Sequence, residues 1–264
     1  MKRVRPGNEG LFETMRSFGG RVFALDEHLD RLIRSCPVVG MKAPAKSALQ
    51  KAVKDVIKKD GLKDAYVRLD VFKQPKGSAI FKVFTKCFCE TKTLSLPGIN
   101  KYRRGFSLAL YKSDALGMPP FHKVKSLNHS FYTGLTCWAR ERGFDEALFL
   151  NARSHIVEGS RTNVFLIKAG SVVTPAVSCG CLPGVTRRMV IGLLKKAHIR
   201  IKEARIPLEE LFCQDEIFVT NSLIGVMPVT GINKKPVGNG RPGNLTQRVM
   251  AAYEKKIEKE CFLR

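Results

Sequence analysis

The segment EGSRTNVFLIKAGSVVTPAVSCGCLPGVTR, from Glu158 to Arg187, contains the signals of a strand, a loop and a helix in succession. Its run NVFLIK is short and apolar, which predicts a buried strand. A loop rich in Ser, Cys, Gly and Pro follows and ends in LPGVTR, which is typical of the start of a helix. The stretch therefore predicts mixed α and β structure. It also raises a question of function, because Glu158 and the turn at Gly184 could be ordinary packing residues or could hold the two ends of one bound molecule.

Length and composition predict a soluble protein with a packed core. The chain has 264 residues, 44% hydrophobic and 26% charged, so we expect one large or two modest domains. No apolar run approaches the ~18–20 residues that cross a bilayer. The N-terminal MKRVRPGNEG is basic, but no apolar segment follows it as in a secretory signal. We therefore expect a cytoplasmic location and no membrane partner.

The charge is strongly positive, since 46 Lys and Arg oppose 23 Asp and Glu and give +23. This makes nucleic-acid binding a hypothesis to weigh. The basic residues are spread over predicted helix faces and loops, which favours a general basic surface or attraction of small anionic ligands. The eight cysteines show C-x-C but not C-x-x-C spacing, so we expect reduced thiols and no metal site.

The periodicity predicts a small α+β domain at 1–113, a linker at 114–122 and a larger domain at 123–264. The linker contains Gly117 and Pro119-Pro120, which resist helix and strand alike. The first domain is predicted to contain a hairpin at Gly19-Gly20, helices starting at Asp26 and Ser47, and the strands AYVRLDVF, SAIFKVFTKCF and FSLALYK. The second is predicted to contain EALFLN and NVFLIK as neighbouring strands, a helix from Thr186 to Ala197 and a final amphipathic helix.

Two charged residues could carry chemistry. Lys125 directly follows the linker, and a lysine whose pKa is lowered by burial can form a Schiff base. Glu158 precedes Gly159, and a carboxylate there could bind a protonated ring nitrogen. Each also has a simpler structural explanation, because Lys125 is one of 46 basic residues and Glu158 could belong to a hairpin turn.

Two turns could bind an anion. In LPGVTRR, Gly184 lets the backbone approach closely, and the amides of Val185 and Thr186 would lie unpaired at the positive end of a helix. In FVTNSLIGVMPV, the polar side chains of Thr220, Asn221 and Ser222 end a strand, where α/β sheets often place ligand groups. Ordinary capping would explain either turn by itself.

The order of these features is more specific than any one of them. The chain resembles the class IV, or fold-type IV, pyridoxal-phosphate enzymes over roughly residues 10 to 230, in the motifs LFETMR, HLDRL, AYVRL, KSLN, DEALFLN, EGSRTNVFLIK, CLPGVTR and TNSLIGVMPV. This family contains branched-chain aminotransferases, D-amino-acid aminotransferases and aminodeoxychorismate lyases. The resemblance implies a two-domain fold of mixed α/β class, D-amino-acid aminotransferase-like, with pyridoxal 5′-phosphate as cofactor, and a homodimer.

The resemblance also implies a role for each matching residue. Lys125 matches the lysine that forms the family's Schiff base, and Glu158 matches the carboxylate on the pyridine nitrogen. Arg31 matches the arginine on the cofactor phosphate. Further cofactor contacts would come from Gly184, Val185, Thr186, Asn221 and Ser222. Arg68 lies where some members contact the substrate carboxylate, and His28 is expected to be structural.

The reaction stays open between branches of the family. We favour an aminotransferase that acts on a branched-chain amino acid and a 2-oxo acid, but aminodeoxychorismate lyase and D-amino-acid aminotransferase use the same lysine. The chain also departs from the family, since no tyrosine opens the motif before Phe12, and His129 stands where branched-chain members usually have a tyrosine. From a different class, a basic nucleic-acid-binding protein on a degenerate enzyme fold is the alternative.

Overall fold

The computed structural model describes residues 9–87, 96–112 and 124–263. The chain folds into two compact units. The first consists of Met1–Ser95, Val124–His129 and Ile257–Arg264, and the second consists of Leu96–Lys123 and Ser130–Lys256.

The first unit is an antiparallel sheet packed against two helices. Its elements are β1 (Gly10–Phe18), β2 (Arg21–Val22), α1 (Leu25–Ser35), α2 (Lys46–Asp60), β3 (Ala65–Lys73) and β4 (Ala79–Cys87). The strand order is β2-β1-β3-β4. The predicted hairpin is confirmed, because β1 and β2 pair across Gly19 and Gly20, which both have positive φ. One sheet face and the helices form the core, which includes Leu11, Met15, Leu29, Leu49 and Val53.

Both helices of the first unit begin earlier than predicted. α1 begins at Leu25, after Ala24 in a left-handed conformation (φ 56°), and Asp26 therefore lies inside the first turn. Asp26 does not cap α1, because no side chain does. The Ala24 N–H instead donates to Glu260, at 2.7 Å. α2 begins at Lys46, one residue before the predicted start, and ends as predicted before Gly61.

The second unit is built on a nine-stranded sheet. Its elements are α3 (Ile99–Arg104), β5 (Phe106–Tyr111), α4 (Ser130–Glu141), β6 (Glu146–Leu150), β7 (Ile156–Gly159), β8 (Asn163–Lys168), β9 (Ser171–Pro175), α5 (Val185–Lys196), β10 (Ile201–Ala204), β11 (Glu216–Asn221), β12 (Gly225–Ile232), β13 (Lys235–Pro236) and most of α6 (Asn244–Cys261), whose last residues, from Ile257, belong to the first unit. The strand order is β10-β9-β8-β11-β12-β5-β6-β7, and β13 pairs with β12.

The pairing corrects one prediction about this sheet. EALFLN and NVFLIK are β6 and β8, and they are not neighbours, because β11, β12 and β5 lie between them in the sheet. FSLALYK forms β5 in the second unit. The domain limits predicted from the sequence stay a prediction, and the predicted linker at 114–122 lies outside the described residues.

The core of the second unit consists of apolar side chains from the central strands, among them Leu108, Leu148, Val164, Leu166 and Val219. In the described part of the chain, no helix is long and apolar enough to cross a bilayer. The seven cysteines in the same part are free thiols, and four of them are buried.

Candidate active site

The main chain of Lys125 is fixed to an edge of β1 in the first unit. β2 pairs only with the end of this strand, at Ser17 and Phe18. Residues around Lys125 pair with its beginning, because the Phe12 N–H donates to the Lys125 carbonyl at 2.8 Å and the Leu127 N–H donates to the Gly10 carbonyl at 3.0 Å. Lys125 is therefore held by a sheet-like pairing, although it lies outside any regular strand.

The ring of Phe12 brings two of the predicted site residues together. The Lys125 Nζ lies 4.4 Å from the ring centroid, and the Arg68 guanidinium carbon lies 4.3 Å from it. Such cation–π contacts favour a fixed position for each cation. The Arg68 Nε also donates to the Asp70 carboxylate at 2.6 Å, two residues along β3. Arg68 therefore carries its own counter-ion, which the sequence did not lead us to expect.

Arg31 belongs to a buried charge network on the other face of the sheet. Its Nε and Nη2 donate to the two oxygens of Glu13, at 2.7 and 2.6 Å. The His28 Nδ1 lies 2.8 Å from the same carboxylate, and the three side chains are at most 8% exposed. His28 thus holds Glu13, which fits the structural role expected for it.

Burial and the charges of this network shift the pKa values of Glu13 and His28. Burial alone would raise the pKa of Glu13, but the charges of Arg31 and His28 and their hydrogen bonds lower it to about 2. Burial lowers the pKa of His28, although Glu13 opposes this. A neutral His28 that donates to an ionised Glu13 therefore satisfies the network at neutral pH.

In the second unit, Glu158 is the penultimate residue of β7, and its buried carboxylate has fixed partners. Its Oε2 accepts hydrogen bonds from the Leu182 N–H at 2.9 Å and from the Asn163 Nδ2 at 3.0 Å. The Asn163 Nδ2 also donates to the Leu182 carbonyl at 2.9 Å. Asn163 therefore ties the predicted acidic residue to the segment before α5.

The turn at Gly184 leads into α5 with free backbone donors. Gly184 is the N-cap, no side chain caps the helix, and its first turn has no acidic residue. Within the described chain, no acceptor binds the N–H groups of Val185, Thr186 and Arg187. Three unpaired amides at the positive end of a helix form a site for an anion such as phosphate.

Gly184 is required at this turn by close packing. A Cβ at this position would collide with the Asn163 Oδ1. Asn163 would then have to move away from Glu158 and Leu182. The glycine therefore allows the anion-binding turn and the Glu158 carboxylate to share one bridging side chain.

Gly184→Ala should consequently weaken cofactor binding by roughly tenfold and destabilise the protein by about 1–3 kcal/mol. The measurement is a titration of cofactor-free protein with pyridoxal 5′-phosphate, together with urea unfolding. Gly192→Ala is the matched control, because Gly192 lies in the same helix with open space around it, and alanine should leave binding unchanged there. Equal binding by both variants would contradict the packing argument.

Two further buried groups, Glu146 and Tyr132, belong to the same part of the second unit. Glu146 accepts hydrogen bonds from the Ser160 N–H at 3.0 Å and from the Ser160 hydroxyl, so it braces the turn after Glu158. Burial raises the pKa of Glu146. Burial and the charge of Glu158 also raise the pKa of Tyr132, whose buried hydroxyl has no partner in the described chain. Tyr132 therefore stays a neutral hydroxyl that can donate to a ligand.

The third predicted group lies at the end of β11. The Asn221 Oδ1 accepts from the N–H groups of Leu223 and Ile224, at 2.9 Å each, and its Nδ2 donates to the Arg161 carbonyl at 3.2 Å. Asn221 therefore shapes the turn that contains Ser222. The Thr220 hydroxyl is buried, and no described group is its partner.

The structure thus joins the predicted residues in groups. Glu158 is linked to the turn at Gly184 through Asn163, and Lys125 meets Arg68 at Phe12. The sequence analysis missed Asn163, Glu13 and Tyr132. Glu13 could have been found from its place on the core-facing side of β1, between Leu11 and Met15, where a carboxylate needs a buried cation.

These groups match the needs of one class of cofactor. A protonated ring nitrogen requires a carboxylate, a phosphate requires unpaired amides, and both are present in the second unit, with the buried hydroxyls of Tyr132 and Thr220 as additional donors. The geometry therefore fits a pyridoxal-phosphate enzyme. A sequence model of the family described as amino-transferase class IV matches residues 10–232. The chain belongs to this family of enzymes.

Similar proteins agree with this assignment. The branched-chain-amino-acid aminotransferase of Pseudomonas aeruginosa is 27% identical over 255 residues, 92% of this chain and 82% of the relative. The D-alanine aminotransferase of Bacillus licheniformis is 28% identical over 261 residues, 96% of this chain and 89% of the relative. The solved structure of the branched-chain aminotransferase of Thermoproteus uzoniensis with norvaline superposes with a TM-score of 0.83 at 27% sequence identity. The match covers 97% of this chain and 88% of the chain in that structure. The predicted fold-type IV, mixed α/β class is confirmed.

Proposed function

We propose that this aminotransferase moves the amino group of a branched-chain amino acid to a 2-oxo acid with pyridoxal 5′-phosphate as cofactor. One observation supports this cofactor above all. The Glu158 carboxylate and the turn that leads to the unpaired amides of α5 are connected by the side chain of Asn163. The names of the similar proteins support the substrate class. The family resemblance also supports a homodimer in the cytoplasm, which the molecular mass from light scattering and cell fractionation would test.

Each candidate site residue of the second unit has a defined role in this proposal. When bound, pyridoxal 5′-phosphate supplies an electron sink for the negative charge that develops at the substrate carbon. Glu158 keeps the pyridine nitrogen protonated by accepting its hydrogen bond, while Asn163 and Leu182 hold the carboxylate in place. The amides of Val185 and Thr186 bind the phosphate, and Ser222 adds a hydroxyl donor.

Lys125 and Arg31 supply the cationic groups. Lys125 would hold the cofactor covalently through its Nζ, and the same amine would carry the proton at the substrate α-carbon. Phe12 limits where this amine can move. Arg31 matches the family's phosphate-binding arginine and would supply the cation for this contact, and the Glu13 carboxylate fixes the orientation of its guanidinium.

The sheet face that carries Phe12 and Arg68 favours an apolar substrate side chain. The strand register places Tyr66 and Phe84 on this face as well. Arg68 would attract an acidic side chain, but Asp70 compensates its charge. We therefore propose that Asp70 weakens the attraction of this face for a second substrate carboxylate, whether it belongs to glutamate or to 2-oxoglutarate.

Asp70→Asn should then raise kcat/KM for glutamate relative to leucine by about tenfold, because one neighbouring charge near a protein surface is worth on the order of 1 kcal/mol or more. Asp64→Asn is the control, since it releases Arg16, which lies farther along the same face and pairs with Asp64 at 2.7 Å. An unchanged ratio in Asp70→Asn would show that Arg68 does not meet the substrate side chain.

The similarity to a D-alanine aminotransferase makes the opposite stereochemistry the second candidate. Turnover with D-alanine but not L-leucine would establish it. Aminodeoxychorismate lyase is distinguished by a further property, because a lyase releases its product without a 2-oxo acid acceptor. Assays with each amino donor, with and without 2-oxoglutarate, separate the three activities.

The proposal is tested first by the absorption spectrum of the purified protein after addition of pyridoxal 5′-phosphate. Borohydride reduction followed by peptide mass mapping should place the reduced adduct on Lys125. A protein that takes up no cofactor would overturn the proposal, and the basic nucleic-acid-binding alternative would then have to explain the +23 charge.

A further inference from the structure

The first unit contains a cavity that involves none of the predicted site residues. Its volume is about 360 Å³, within the range of pockets for small molecules. The hairpin turn between β1 and β2 and the C-terminal half of α2 form its walls. Val22, Leu25 and Ile57 give it apolar lining, and Gly20 and Gly61 leave space at its rim.

Four cationic side chains line this cavity: Arg21, Lys54, Lys58 and Lys63. No carboxylate is among the lining residues. None of the four cations forms an ion pair with a carboxylate of the described chain. The carboxylates nearest along the chain have partners elsewhere: Asp55 pairs with Lys51, Asp60 accepts from Thr85, and Asp64 pairs with Arg16. The four cations are exposed to solvent around an open pocket, and no ion pair within the described residues compensates their charge.

Helix stability explains only part of this charge. Lys58 lies in the last turn of α2, where the partial negative charge of the helix end, about half an elementary charge, favours a cation. Four full positive charges exceed that need. Lys54 and Lys58 are also four residues apart on one helix, where like charges repel each other. An anion in the cavity would remove this repulsion.

We propose that the cavity binds a small organic polyphosphate, such as a nucleoside triphosphate. Three or more negative charges on the phosphates would match the four cations, since lysine binds phosphate as a point charge and Arg21 can bind two oxygens at once. The apolar lining would receive the base or another ring. Neither Lys125 nor Glu158 is among the lining residues, so the ligand would not be a substrate of the aminotransferase reaction.

The experiment uses protein loaded with pyridoxal 5′-phosphate, so that the amides of α5 are filled, and measures the binding of ATP without magnesium by calorimetry at physiological ionic strength. The double variant Lys54→Ala/Lys58→Ala should weaken binding at least tenfold. Lys255→Ala/Lys259→Ala is the matched control, because it removes two exposed lysines with the same spacing from α6, and it should change binding less than twofold.

Inorganic triphosphate and a single-stranded oligonucleotide complete the test. Triphosphate should bind more weakly than ATP and show the same dependence on Lys54 and Lys58, because it lacks a ring for the apolar lining. The proposal is overturned if ATP does not bind, or if both double variants weaken the binding of ATP equally. It is also overturned if the oligonucleotide binds more tightly than ATP and both double variants weaken oligonucleotide binding equally. The last two outcomes would show only a general attraction to the basic surface.

Discussion

Lys125→Ala should reduce aminotransferase turnover by at least roughly 10³-fold, because it removes both the covalent anchor of the cofactor and the amine that carries the proton, and proton transfer by a positioned group alone contributes about 10²–10⁴-fold. Stopped-flow spectra and steady-state rates with L-leucine and 2-oxoglutarate would measure the loss. The melting temperature should change little, because the main chain of Lys125 makes the hydrogen bonds to β1.

Lys82→Ala is a closely matched control for this variant. The Lys82 Nζ lies 4.8 Å from the centroid of the Phe84 ring, much as Lys125 lies against Phe12. Removing it takes away a similar contact in the same unit and should leave turnover within about twofold. Normal turnover in Lys125→Ala, or a similar loss in both variants, would refute the role of Lys125.

Glu13→Ala should destabilise the protein by about 3–5 kcal/mol, since it removes the carboxylate that neutralises the buried charge of Arg31. Thermal unfolding should show a fall in Tm of roughly 10 °C or more. Asp64→Ala is the control, because Asp64 binds Arg16 in the same two-bonded way but is half exposed. An exposed pair contributes at most about 1 kcal/mol, so comparable losses in the two variants would contradict the assigned network.

The same network predicts a pH dependence of stability. The pKa of Glu13 falls from an ordinary 4.5 to about 2 in the folded protein, so the unfolded chain binds this proton first as the pH decreases. The stabilisation is present in full above pH 4.5 and is lost between about 4.5 and 2, by about 3 kcal/mol. Urea unfolding of the wild type should therefore depend more steeply on pH in this window than that of Glu13→Gln, whereas parallel curves would argue against a depressed pKa.

The elements that could be predicted are those whose signals are local. The hairpin needed only its two glycines, and α2 needed only its apolar spacing and Gly61. The start of α1 could not be predicted, because the Ala24 N–H is satisfied by Glu260, far away in the sequence. The order of the second sheet was equally hidden. β6 and β8 are both almost completely buried, so neither run shows a preference for one neighbour.

The residues of the candidate site also fall into those that the sequence could predict and those that it could not. Glu158 and Gly184 could be singled out, because a carboxylate before a strand and a glycine before a helix have recognisable chemistry. Asn163 could not, since its role depends on three contacts that form only in the folded chain. Asp70 was missed for a different reason: alternation along β3 predicts its face, but not that Arg68 turns towards it.

The bridge formed by Asn163 has a consequence for how related sequences can diverge. A larger residue in place of Gly184 would be tolerated only with a smaller one in place of Asn163, and that second change would release Glu158 from a donor. Neither single change nor the pair is neutral, so positions 163 and 184 are epistatic, and we expect both residues to be conserved together in related sequences.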